Sequence, residues 1–232
     1  MSRPDLISSL QWMSLTGIAY GIGLRLRHLA RGHALANPTV VAMALVALVL
    51  WLTRTPYSTY FKATWLLTFL LAPATVALGI PLARNFRHIR HCLPGVVLGL
   101  LAGSVASMLS GVLLVRLFGG SREVALSMLP KAITTPIAML VSGQIGGQPA
   151  LTASLAMIGG ITAALTLQAV LRVLRVSHGH AVGLAAGTAG SGLGAAQVAP
   201  LGDGTAAFAA IGIGLNGLIT ALLAPFVASF LK

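Results

Sequence analysis

Residues 129 to 149 read LPKAITTPIAMLVSGQIGGQP, and this stretch decides the fold of the chain. It is almost uncharged, yet its three prolines remove backbone donors and its three glycines loosen the backbone. The sequence on both sides is strongly apolar. Unpaired backbone groups in hydrocarbon are tolerated only where protein or a water-filled cavity surrounds them. A broken, polar segment at membrane depth therefore indicates a transport site.

The composition is that of an integral membrane protein. The chain has 232 residues, of which 56% are hydrophobic and only 8% are charged, whereas a soluble domain carries about 25% charged residues. The net charge is +12, from fifteen Lys and Arg against three acids. Because these cations lie in short loops between apolar segments, they predict contact with anionic lipid headgroups and argue against a nucleic-acid partner.

The sequence lacks motifs for catalysis and for a zinc cluster, although His178-Gly-His180 could bind a metal weakly. Cys92 is the only cysteine, so neither an intrachain disulfide nor a zinc cluster is expected. The three acids are far apart, and no Ser-His-Asp or HExxH arrangement occurs. We therefore expect a protein that is not an enzyme and that carries no metal or other cofactor.

The apolar segments predict an all-α, polytopic membrane protein with about six full spans. The predicted spans are 6–24, 38–53, 63–83, 92–117, 149–171 and 205–231. Two further apolar segments, 124–147 and 181–199, are predicted to be re-entrant or broken helices. The whole chain, 1–232, is expected to form one transmembrane domain. Its parts are an N-terminal span and loop (1–34), a first half (35–123) and a second half (124–232), and the two halves could be inverted repeats.

The distribution of positive charge predicts the orientation. Loops 25–36, 84–91 and 172–180 hold eight Lys and Arg, against four in the alternate loops. The richer loops should be cytoplasmic, which places the N-terminus outside. Residues 118–123 are then outside while 172–180 are inside, so only one net crossing fits between them. Segment 124–147 must therefore leave the membrane on the side where it enters.

Four blocks of sequence carry a family resemblance, and they extend from residue 35 to near the C-terminus. The blocks are Leu35-Ala36-Asn37-Pro38; LLAPATVAL at 70–78; TTPIAM and IGGQPALTA within 129–153; and 183–188 followed by 216–225. Together they resemble the LrgB/CidB family of bacterial membrane proteins. The resemblance implies a multi-pass protein of the cytoplasmic (inner) membrane and a small LrgA/CidA-like membrane protein as partner. Whether the chain also forms a homo-oligomer stays open.

The resemblance implies two alternative functions. Some members are described as holin/antiholin-like regulators of murein hydrolase export and autolysis. Others resemble carriers of small monocarboxylates such as glycolate, pyruvate or lactate. The broken helices fit a carrier better, so transport is the predicted function and the autolysis regulator is the alternative. One position departs from the family pattern, because Ser191 stands where a histidine is expected, and a serine cannot take up a proton between pH 5 and 8.

The candidate substrate-binding residues each have a structural alternative. Lys131 could pair with a carboxylate or extend to the headgroups. Thr134 and Thr135, followed by Pro136, could start a half-helix whose free amides face an anion, or they could form a simple kink. A second break nearby is formed by Ser142, Gln144, Gly146 and Gly147.

Three more candidates lie in the second half of the chain. Thr188 and Ser191 belong to a Gly/Ala-rich segment, which is either a second discontinuous helix or a closely packed one. Asn216 is the polar residue of an apolar span, and it either touches substrate or bonds another helix.

Overall fold

The computed structural model describes residues 6–30, 37–67, 69–70, 73 and 86–231. These residues form helices and turns, and none of them lies in a strand, so the predicted all-α class is confirmed. The chain divides into two compact units, Met1–Ala77 and Leu78–Lys232. The prediction of a single domain stays a prediction.

The first unit is built on two helices that cross closely. Its helices are α1 (Leu6–Leu29), α2 (Pro38–Leu52) and α3 (Tyr57–Ala63). Asn37 caps the start of helix α2, because its side-chain oxygen accepts a hydrogen bond from the Thr39 backbone amide at 3.0 Å. Gly23 of α1 packs directly on the backbone of Pro38, so a larger residue would separate the two helices.

The second unit contains the long helices. Its elements are α4 (Phe86–Leu117), α5 (Arg122–Met128), α6 (Thr135–Ile145), α7 (Pro149–Val173), α8 (Gly179–Val198), a 3₁₀ turn (Ala199–Leu201) and α9 (Asp203–Ser229). Within the described part of the chain, three segments are long and apolar enough to cross a membrane: Cys92–Leu117, Pro149–Val173 and Asp203–Ser229. They match three predicted spans, 92–117, 149–171 and 205–231.

The other predicted spans have different outcomes. Helix α1 is long enough to cross a membrane, with 24 residues, but its composition is too polar. Helix α2 is too short, with only 15 residues. Most of the predicted span 63–83 lies outside the described residues. The count of six spans therefore stays a prediction.

Helices α5 and α6 form a hairpin, hairpin 1 (residues 122–147), which enters and leaves at the same end of the unit. The chain leaves α5 at Met128 and is back beside it twenty residues later. Gly147 lies against the backbone of Leu126 and Ser127, and the Gln148 amide donates to the Ser127 hydroxyl at 2.7 Å. The predicted break within 124–147 is present as this hairpin, and its re-entry into a membrane stays a prediction.

Helix α8 is also a hairpin, and with the following 3₁₀ turn it forms hairpin 2 (residues 179–201). Its helical path is interrupted at Ser191, where φ is 48° and ψ is −134°. After this turn Gly194 lies against the Ala186 carbonyl, and Val198 packs against Val182 and Ala186. The predicted discontinuity at 181–199 is confirmed, and it is a return of the chain rather than a kink in a continuous helix.

Close approach of the backbones fixes hairpin 2 on α9. A Cβ at Gly183 would meet the Thr205 carbonyl, and one at Gly187 would meet the Ala209 carbonyl. Because four residues along α8 match four residues along α9, the first arm of hairpin 2 runs parallel to α9 and starts at the same end. The predicted small-residue packing therefore occurs together with the predicted break.

The two hairpins enter from opposite ends of this unit. Helices α4 and α9 run parallel, since Ser104 bonds Asn216 near their middles and Arg116 bonds the Leu231 carbonyl near their C-terminal ends. Hairpin 1 begins at that C-terminal end, where Arg122 also donates to the Leu231 carbonyl at 2.9 Å. Hairpin 2 begins at the other end, beside the start of α9.

Candidate functional site

The tips of the two hairpins meet halfway along α9, around the side chain of Asn216. The Asn216 amide nitrogen donates to the Ala132 carbonyl of hairpin 1 at 3.2 Å and to the Thr188 carbonyl of hairpin 2 at 3.0 Å. Its amide oxygen accepts a hydrogen bond from the Ser104 hydroxyl of α4. Asn216 is 1% exposed. We call these residues, together with Lys131, the hairpin crossing.

Both carbonyls at the crossing are available because the helices break there. Ala132 lies in the irregular stretch between α5 and α6. Thr188 lies in the last turn before the break at Ser191, and carbonyls in the last turn of a helix lack an intrahelical partner. Unpaired carbonyls are costly at membrane depth, and one amide group satisfies one carbonyl from each hairpin.

Two glycines of α7 let both hairpin tips approach a third helix. A Cβ at Gly159 would lie 3.7 Å from the Lys131 carbonyl, and one at Gly160 would lie 3.5 Å from the Gly190 carbonyl. Helix α7 thus passes between the two tips. With α4 and α9, it makes the frame in which the hairpins meet.

Lys131 brings a positive charge to the tip of hairpin 1. Its ammonium donates to the hydroxyl of Ser107 on α4 at 3.1 Å and also to the Ser107 carbonyl. The side chain is half-buried, and a Cβ at Gly111 would come within 2.8 Å of the ammonium. Neither of the two acidic residues that the structure describes pairs with it. The ammonium therefore points at α4 near the middle of the unit instead of extending to the end of the bundle.

The start of α6 faces the same region. The helix begins after Thr134, with Thr135 in its first position and Pro136 in its second, as predicted. Thr134 is the N-cap residue, but its hydroxyl makes no capping hydrogen bond. The next residue, Ile137, packs 3.5 Å from the Cβ position of Gly217, one residue beyond Asn216. The amino end of α6 therefore lies at the level of the crossing.

The second predicted break lies away from the crossing. Ser142, Gln144, Gly146 and Gly147 occupy the far end of α6, which is about 16 Å long at 1.5 Å per residue. There the buried hydroxyls of Ser142 and Thr152 lie 2.6 Å apart. Gly146 takes a left-handed conformation with φ 85° and ends the helix, and Gln144 is exposed. The two predicted breaks therefore lie at opposite ends of α6, and binding of substrate by the second break stays a prediction.

The predicted residues in the second half divide differently. Thr188 and Asn216 are both buried and joined at the crossing. Ser191 is the turn residue of hairpin 2 and is half-buried. Its φ of 48° belongs to a backbone conformation that residues other than glycine rarely adopt.

Four residues at or beside the crossing carried no clear signal in the sequence. Ser104 and Ser107 are the polar partners on α4, and Gly159 and Gly160 supply the close approach on α7. A Ser-x-x-Ser spacing and a Gly-Gly pair inside apolar spans were the available signals. Both are common in transmembrane helices, so neither indicates a site without its tertiary partners.

The arrangement suits an anion more than a cation. An ammonium without an acidic partner and the amino end of a helix lie at one level, and both favour negative charge. The carbonyls, which would attract a cation, are occupied by Asn216.

Comparison with known proteins gives one family. The model of the LrgB-like family matches residues 16–230. Relatives named "Antiholin-like protein LrgB" from Bacillus cereus (strain B4264), Bacillus cereus (strain AH187) and Bacillus anthracis (strain CDC 684 / NRRL 3495) are each 35% identical over 215 residues. The match covers 92% of this chain and 93% of each relative. No solved structure matches the chain.

Proposed function

Because this chain belongs to the LrgB-like family, we propose that it has an antiholin-like role in a bacterial cytoplasmic membrane. In this role it crosses the membrane several times, works with a small LrgA-like membrane protein and restrains the release of murein hydrolases. The observation that carries the proposal is the near full-length similarity to relatives that bear the antiholin-like name.

A deletion strain tests the antiholin-like role. Cells that lack this chain should autolyse faster and release more murein hydrolase activity than the parent, and the chain supplied in trans should reverse both effects. Both the rate of autolysis and the released hydrolase activity should depend on the LrgA-like partner. Unchanged autolysis and hydrolase release in the deletion strain would contradict the role.

A second candidate function is transport of small monocarboxylates. It is favoured by one observation, the meeting of two hairpins from opposite ends at a buried polar centre that holds Lys131. Discontinuous helices that meet in this way are typical of secondary transporters. A carboxylate is the kind of substrate that the Lys131 ammonium and the amino end of α6 favour.

Uptake into proteoliposomes tests the transport candidate. Radiolabelled lactate should enter liposomes that hold the chain, with saturation and counterflow, both with and without the LrgA-like partner. Lys131→Met should reduce uptake at least tenfold. The matched control is Lys62→Met, because Lys62 is an exposed lysine in the last turn of α3. Leakage without saturation, or equal uptake by the two variants, would contradict a carrier with its site at the crossing.

The two functions make different demands on Lys131. Restraint of hydrolase release through a partner protein does not require a charge at the crossing, whereas carboxylate binding does. Complementation of autolysis by Lys131→Met, alongside lost uptake, would show that the two activities are separate.

A further inference from the structure

We propose that Asn216 is a shared latch, a positioning residue that holds both hairpins closed at once and so keeps the pathway through the crossing shut toward both ends. The inference rests on the transport candidate. It concerns how the crossing is controlled rather than what it binds.

Each hairpin closes the crossing toward one end. Hairpin 1 spans from the C-terminal end of α4 and α9 to the crossing, and hairpin 2 spans from the opposite end to the same place. Their tips reach α7 at adjacent positions, where the Lys131 and Gly190 carbonyls face Gly159 and Gly160. Movement of either hairpin away from this meeting point would expose the crossing to one end only.

The side chain of Asn216 contacts both hairpins. An asparagine amide has two N–H donors, and those of Asn216 are divided between Ala132 of hairpin 1 and Thr188 of hairpin 2. The Ser104 hydroxyl donates to the amide oxygen and fixes which way the amide faces. Asn216 and Ser104 lie on long helices of the frame, so the latch belongs to the part that stays in place.

Either hairpin can open while the other stays closed. When one hairpin moves, its freed carbonyl needs a new donor, and water from the newly opened end supplies one. The other hairpin still holds its own bond to Asn216. Opening at one end is therefore compatible with closure at the other. Removal of the amide takes away the bond that holds each hairpin, so both can open together.

The test uses full-length protein in liposomes and two readouts. Asn216→Leu keeps the size of the side chain and removes both donors. Efflux of trapped erythritol, a small uncharged solute, should be low for the unmodified chain and at least tenfold higher for the variant. Tenfold corresponds to about 1.4 kcal/mol. Amide hydrogen exchange should also rise in residues 131–135 and in residues 188–193 of the same variant.

Thr152→Val is the matched control. The Thr152 hydroxyl is buried and lies 2.9 Å from the Ser127 carbonyl and 2.6 Å from the Ser142 hydroxyl, so its loss also removes buried hydrogen bonds. Those bonds lie at the base of hairpin 1 and do not involve hairpin 2. This variant should speed exchange near residue 127 and leave both hairpin 2 and erythritol efflux unchanged.

The outcomes separate the latch from transport itself. Faster exchange in both hairpins together with erythritol efflux supports the latch, even if the unmodified chain takes up no lactate, in which case only the transport candidate fails. Faster exchange without efflux makes Asn216 a structural contact and overturns the latch, as does faster exchange in one hairpin alone. If Asn216→Leu does not fold, Asn216→Ser replaces it in both assays with the same criteria.

Discussion

Replacement of Ser191 by glycine should stabilise the protein, although glycine substitutions inside helices normally destabilise. Ser191 forms the turn of hairpin 2 with φ 48° and ψ −134°, a backbone conformation dominated by glycine in turns. A side chain in such a region costs about 1–3 kcal/mol. Glycine removes this cost but adds about 0.5–1 kcal/mol of unfolded-state entropy. With the middle of each range, about 2 and about 0.75 kcal/mol, the net stabilisation is about 1 kcal/mol.

Two control variants isolate the backbone effect. Ser154 is exposed within α7 and has an ordinary helical backbone, so Ser154→Gly should destabilise by about 0.5 kcal/mol. Ser191→Ala removes the same hydroxyl but keeps a Cβ at positive φ, so its stability should stay close to that of the unmodified chain. Ser191→Gly and Ser154→Gly should therefore change the free energy of unfolding in opposite directions.

Thermal unfolding in detergent measures the difference. For a chain of this size, 1 kcal/mol corresponds to about 2–4 °C in Tm, so Ser191→Gly should unfold a few degrees above Ser154→Gly. A decrease in Tm for Ser191→Gly as large as that for Ser154→Gly would mean that the chain does not turn at Ser191. The description of hairpin 2 would then be wrong.

Two further predictions concern the same hairpin. Gly187→Ala should destabilise by about 1–3 kcal/mol, because its Cβ would meet the Ala209 carbonyl, whereas Gly192→Ala, with open space around it, should stabilise by about 0.4–1 kcal/mol; equal effects in chemical unfolding would refute the close packing. Lactate uptake by the unmodified chain should depend only weakly on an inward proton gradient, and Ser191→His should strengthen that dependence, since histidine titrates near neutral pH. Strong proton coupling in the unmodified chain would contradict this.

The hairpins were predictable from sequence because their signals are local. Prolines and glycines in 129–149 exclude a continuous helix, and the bias of Arg and Lys between loops requires an even number of crossings there. The Gly/Ala-rich composition of 181–199 indicates enclosure by protein. The position of the turn in hairpin 2 was not predictable, because the residue that forms it, Ser191, is not one of the neighbouring glycines.

The crossing was only partly predictable because its contacts are distant in sequence. Asn216 bonds Ala132 and Thr188, which are 84 and 28 residues away. Ser104 is 112 residues away. Conversely, the polar residues at 142–147 are close to Lys131 in sequence but separated from it by the length of α6. Sequence proximity therefore suggested one site where the fold makes a crossing and a separate hairpin base.

The two-hairpin arrangement is tested most directly by the side of the membrane on which four exposed positions lie in intact cells. Single cysteines at Ser121, Gln148, Ser177 and Leu201, each on a Cys92→Ser background, would be tested with a membrane-impermeant thiol reagent. We expect positions 121 and 148, at the base of hairpin 1, to be labelled from outside. Positions 177 and 201, at the base of hairpin 2, should be labelled only after the membrane is permeabilised. Labelling of 121 and 148 from opposite sides would mean that residues 122–145 span the membrane. That result would contradict both the hairpins and the hairpin crossing.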